Sequence, residues 1–228
     1  MKSRIGSALL RGLRRRDARE PGPFNHVSLG SHCHMAQLLK ATGMRTWSGP
    51  FDWIFSAPGL VRDCLADDFA LLLDRSQLET TPPDERPKPE ECRGRHLVYG
   101  PRHQIPFLFN HHDPAGSDAD YAFLQQGVGR LRRALAAPDG TNRFYLLTAI
   151  PPDEDTVQEI CDLLAHKPSR NHLTLLEIAE GSLANAVEPR VPERPDLTWL
   201  RVATLSASVG LRFADSSDDA FVGGLLRG

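Results

Sequence analysis

The sequence predicts a single α/β domain, a mixed β-sheet flanked by helices, with an α+β arrangement as the alternative; three observations predict it. At 228 residues with 40% hydrophobic composition, the chain buries a full core without needing a second domain. The stretches "RFYLLTAI" at 143–150 and "HLTLLEIA" at 172–179 read as buried strands, and Val157, Ile160, Cys161 and Leu164 recur between them at helical spacing. That is a βαβ unit, which favours parallel pairing and helices layered on a sheet. The opening "HVSLGSHCHMAQLL" passes from a short strand through a Gly-Ser turn into a helix, the usual punctuation of such layered folds.

The elements follow in order. Residues 1–22 read as a basic tail, with Ile5, Leu9 and Leu13 on one side of a would-be helix and Arg4, Arg11, Arg14 and Arg15 around it. It is solvated or makes weak contact with a membrane surface or partner. Its apolar run is too short for a signal-peptide core, and no later segment reaches the roughly 18–20 apolar residues of a membrane span. The domain proper is expected over 23–228. Strand "HVSL" ends at Gly30 and Ser31; Met35, Leu38, Leu39 and Thr42 follow at helical spacing, and Gly43 is the stop. Cys33 therefore sits at a helix N-terminus, where peptide dipoles and unpaired amides favour the thiolate. "TWSGPFDWIFSAPG" at 46–59 is a rigid aromatic loop, in which Asp52 lies between Phe51 and Trp53 and needs a partner if buried. Ser56 reads as an N-cap with Pro58 in the first turn, and Leu60, Val61, Cys64 and Leu65 form the apolar face behind it.

Residues 79–95, rich in proline and charge, are expected to be a surface loop. "HLVYG" and "IPFLF" suggest a hairpin around "PRHQ", the second strand delivering Asn110, His111, His112 and Asp113 to its end. Alternation along a strand would send the two imidazoles to opposite faces, His111 to packing and His112 to the site. Asp118 can cap a long helix with Tyr121, Leu124, Val128, Leu131 and Leu135 inward and Arg130, Arg132 and Arg133 outward. "TWLRVA" and "VGLRFA" are two further short strands after the proline-rich "VEPRVPERPD".

The formal net charge of -2 provides no global field for nucleic acid. The cysteines at 33, 64, 92 and 161 form no CxxC pair and no disulfide-scaffold density, so reduced thiols and a cytoplasmic location are expected. There is no P-loop and no GxGxxG, and no cofactor is expected. The excess of Arg over Lys suggests a bacterial source. A thiol needs a base, and an imidazole needs an acceptor to hold its tautomer. Cys33 and His112 supply the first two groups; Asp52, Asp113 and Asn110 are candidates for the third. Ser31 and His34, beside the thiol, and Trp47, Phe51 and Trp53, in the aromatic loop, are the candidate substrate-binding residues.

"SLGSHC" at 28–33, "SGPFDWI" at 48–54 and "HHD" at 111–113 resemble, in order and separation, the bacterial family of predicted papain-like cysteine peptidases, catalogued as a domain of unknown function. The resemblance extends weakly through 118–150. It implies a papain-like site with Cys33 as nucleophile and His112 as base, assisted by Asp52 or Asp113. The chain departs from papain proper: no Gln precedes the cysteine at the expected place and no "CGSCW" occurs, which leaves the backbone N–H of Cys33 as the default oxyanion donor. The expected function is a cysteine peptidase or hydrolase acting on a peptide, protein, amide or acyl substrate. An acyltransferase using the same thiol is the alternative within that chemistry. Outside it stand a noncatalytic peptide- or glycan-binding module built on the Trp47 and Trp53 loop, and a zinc site drawn from His32, Cys33, His34, His111, His112 and Asp113.

Overall fold

The computed structural model describes residues 19–30, 32–190 and 194–227. The βαβ expectation holds. Strands β1 (Phe24–Gly30), β4 (Thr141–Thr148), β5 (Arg170–Ala179), β7 (Leu197–Ala203) and β6 (Ala186–Arg190) lie side by side in the order β1-β4-β5-β7-β6. The first three pairings are parallel, and β6 closes the far edge antiparallel to β7. The register aligns Asn25, Asn142 and Asn171. Their amides bond across the strands, Asn25 Nδ2 to Asn142 Oδ1 and Asn142 Nδ2 to Asn171 Oδ1, each 2.9 Å. A satisfied buried ladder of this kind penalises a one-residue slip.

Strand alternation divides the apolar residues between two helical layers. Phe144, Leu146, Leu173, Leu175 and Trp199 face α2 (Pro58–Ala66), α4 (Asp118–Ala136) and α5 (Glu154–Ala165). Tyr145, Leu147, Leu176, Ile178 and Val202 face α1 (Cys33–Ala41) and α6 (Ser216–Leu225). The helix after β1 and the helix after β4 thus leave toward opposite faces. Where helices diverge so from adjacent parallel strands, a crevice opens at the strands' carboxyl ends, the usual ligand position of such sheets.

Several local expectations are corrected. "HLVYG" and "IPFLF" are not a hairpin: β3 (Gly94–His96) pairs antiparallel with β2 (Leu78–Thr80), Tyr99–His103 forms the short helix α3, and Phe109 bridges Gly94 and Ile54. The loop 81–93 lies between β2 and β3. "VGLRFA" contributes only an isolated bridge, Ser208 to Phe213, while "AVEPR", in the stretch read as a connection, is the edge strand β6, where proline is tolerated. Ser56 does not cap α2; the cap is Ala57, and the Ser56 hydroxyl donates to the Leu29 carbonyl at 2.9 Å. Ser117, not Asp118, caps α4. Arg130 is buried, and its Nε donates to the Ser48 carbonyl at 2.9 Å; a single helical seam could not reveal that the aromatic loop covers this side of α4. The expected tail mostly falls on residues 1–18, outside the described residues.

Candidate functional site

Cys33 is the first residue of α1, at the carboxyl end of β1. Gly30 makes the turn between them with φ +104°, and a Cβ there would meet Ser56 Oγ at 1.6 Å, so only glycine allows the loop after Ile54 to close on β1. His32 caps α1 in extended backbone without a side-chain cap bond, which leaves the first-turn amides to other acceptors. The helix-terminus expectation of a favoured thiolate is overturned. Cys33 is 4% exposed, and burial pushes its thiol up to about 11; a backbone hydrogen bond opposes this weakly and the Asp52 carboxylate adds to it. Desolvation outweighs the helix field because it acts on the whole charge, whereas the helix end offers a partial one.

Asp52 is buried and forms an ion pair with the equally buried Arg45. It also accepts the Gly49 N–H at 3.2 Å. Arg45 lies over the Trp53 ring, 5.5 Å from its centroid. From the other side the loop is held by Arg130 and by Gly127, where a Cβ would come within 3.3 Å of the Gly49 and Pro50 backbone. Trp47 and Phe51 are therefore core residues: Trp47 Nε1 donates to Asn25 Oδ1 at 2.9 Å, and Phe51 packs on Phe69 at 5.6 Å. Burial leaves neither an open face for a substrate. Trp53 remains half-buried.

His112 lies on an irregular turn rather than a strand, so alternation does not decide its direction. Its ring stacks on Phe123 at 5.0 Å, and Nδ1 is 3.1 Å from Asp120 Oδ1. With Nδ1 held by the carboxylate, Nε2 is the nitrogen left to accept a proton. Asp120 Oδ2 also accepts the Asp113 N–H at 2.8 Å. Asp113 itself is buried and shapes the turn, accepting from the Thr80 hydroxyl at 2.8 Å and the Gly116 N–H at 3.1 Å. His111, expected to pack, is exposed beside Asn110. Trp53, Pro50 and Gly49 meet His112 and Phe123 around a small cavity. The sequence did carry a signal for Asp120: it lies three residues after the Ser117 cap, the capping-box position, and that local role conceals its reach to the imidazole.

His34 is buried on the other helical layer, between Ser208 Oγ at 2.8 Å and Asp219 Oδ1 at 2.9 Å. Ser31 lies outside the described residues. With His34 and His112 committed to different carboxylates, no group of three or more His, Cys, Asp and Glu converges to hold a metal ion among the described residues. No helix among them is long and apolar enough to cross a membrane.

A cleft opens at the carboxyl ends of β1 and β4, where the helices diverge. His32, Phe55 and Phe107 line it together with Ile150, Pro151 and Pro152, which lead into α5. It begins one residue from Cys33. No curated protein and no solved structure matches the chain. The segment that carries Cys33, the aromatic loop, His112 and Asp120, residues 24–133, matches the family described as "Putative papain-like cysteine peptidase (DUF1796)".

Proposed function

We propose that the protein is a cysteine-dependent hydrolase or acyltransferase in which Cys33 attacks the carbonyl of a peptide, amide or other acyl substrate seated at the carboxyl ends of β1 and β4. The position of Cys33 carries this reading: a thiol on the first turn of a helix, directly after a parallel strand and one residue from the wall of the cleft. Burial keeps the thiol protonated near neutral pH, so a base must take its proton as the acyl carbon approaches. His112, oriented by Asp120, is that base, and the imidazolium then returns the proton to the leaving group. Asp52, neutralised by Arg45, fixes the loop beside the thiol. The S–C bond of a thioester forms as the leaving group departs; water or a second acceptor completes the turnover. Among the described residues no hydrogen bond joins the thiol to the imidazole, and His112 lines the smaller cavity rather than this cleft, so the reading requires the turn that carries His112 to approach the thiol when substrate binds. The four free cysteines suit a reducing, cytoplasmic setting.

The test is intact-mass detection of an acyl-enzyme with 4-nitrophenyl esters. We expect one adduct, mapped to Cys33, absent from Cys33→Ser and formed far more slowly by His112→Ala. Adducts confined to the exposed Cys92 would refute it. The burial of the thiol favours one other reading, a binding module in which Cys33 only packs; an unreactive Cys33 in a protein that still binds ligand in the cleft would establish that instead.

A further inference from the structure

The lining of the cleft is largely apolar and aromatic. Phe55 and Phe107 pack edge to face at 5.3 Å, and the His32 ring meets Phe55 edge-on at 4.9 Å. In the same lining Ile150 is 78% exposed and is followed by two prolines that stiffen the entry to α5. An exposed branched aliphatic residue that shares an open cleft with aromatic rings is surface that a ligand could cover.

Several polar groups of the cleft are already engaged. The Ser56 hydroxyl donates to Leu29, His103 Nε2 lies 3.1 Å from Asp63 Oδ2, and the Thr148 hydroxyl donates to the Ile150 carbonyl at 2.8 Å. The Asp153 carboxylate accepts the Thr156 N–H as the cap of α5. Among the described residues its lining has no lysine or arginine to meet an anion, and the one carboxylate among them serves a helix end. Charge complementarity therefore selects an uncharged ligand.

We propose that this cleft is an acyl-chain site, and that the substrate of Cys33 carries an uncharged, apolar acyl group, laid between the Phe55–Phe107 pair and Ile150 with its carbonyl toward the start of α1. This assignment rests on Cys33 as the nucleophile and names what it acts on. A cleft of this kind discriminates by length, since each methylene removed from water favours binding by a roughly constant factor.

The experiment uses the full chain and 4-nitrophenyl acetate, butyrate and octanoate. Acylation of Cys33 should quicken about threefold to fourfold per added methylene in the wild type. Ile150→Asp, a change at an exposed position, should flatten that series. Equilibrium dialysis of octanoyl 4-nitroanilide against Cys33→Ser gives a readout without catalysis: retention there, lost on adding Ile150→Asp, is expected. If Cys33 acylates equally with all three esters, or Ile150→Asp leaves the series intact, the acyl-chain site is overturned while the nucleophile stands. If Cys33 never acylates but the anilide binds in an Ile150-dependent way, the nucleophile falls and the apolar site stands.

Discussion

The thiol and the imidazole of the candidate site lie in contrasting surroundings. Around Cys33 nearly everything is buried and cross-braced: the Arg45–Asp52 pair, the Gly30 turn closed on Ser56, and the loop held by Arg130. Around His112 the groups are half-exposed, on a turn held by Asp120 and Asp113. The first arrangement suppresses ionisation and fixes position; the second leaves the His112 ring partly in contact with solvent. A buried thiol and a partly exposed imidazole are consistent with the proposed site if it completes itself only when substrate arrives.

The contrast predicts that changes near His112 affect rate and changes near Cys33 affect stability. His112→Ala should lower kcat/KM for acyl transfer by about 10²- to 10⁴-fold, the usual contribution of a positioned general base, and should leave the urea midpoint nearly unmoved. A large loss of stability with little loss of rate would reverse the assignment of the two regions. Arg45→Met leaves the Asp52 carboxylate buried without its cation, and should cost about 3–5 kcal/mol in chemical denaturation; a cost below about 1 kcal/mol would show that the loop is not braced through this pair.

A third effect is read from pH. The Cys33 thiol ionises near 9.0 when unfolded and near 11 when folded. The native state therefore holds its proton longer, and stability falls as pH rises from about 9 toward 11, with no contribution below that window. The alkaline loss should be about 2–3 kcal/mol larger in the wild type than in Cys33→Ala, measured by urea titration at stepped pH; identical alkaline limbs would mean that water reaches the thiol. The smallest effect belongs to Asp120→Asn. It keeps the shape of the turn but weakens the acceptor for His112 Nδ1, so roughly a tenfold loss in rate is expected in steady-state kinetics. A rate equal to wild type would remove Asp120 from the site.

Much of this was legible in the sequence, and for local reasons. The strand, glycine turn and helix that place Cys33, the βαβ unit at 143–179, the apolar faces of α4 and α5 and the stop at Gly43 all follow from spacings within one element, where periodicity and backbone conformation are decided by near neighbours. The tertiary structure alone decided what each candidate residue faces. Trp47 is claimed by Asn25, 22 residues away, and Arg130 by Ser48, 82 residues away. His34 belongs with Asp219, 185 residues on. Nor could spacing show that Cys33 is desolvated, because burial is a property of what packs over a helix end and not of the helix itself. The sequence by itself determined the kinds of chemical group present and the elements that carry them; packing between distant segments decided which groups are buried, which are paired and which remain free to react.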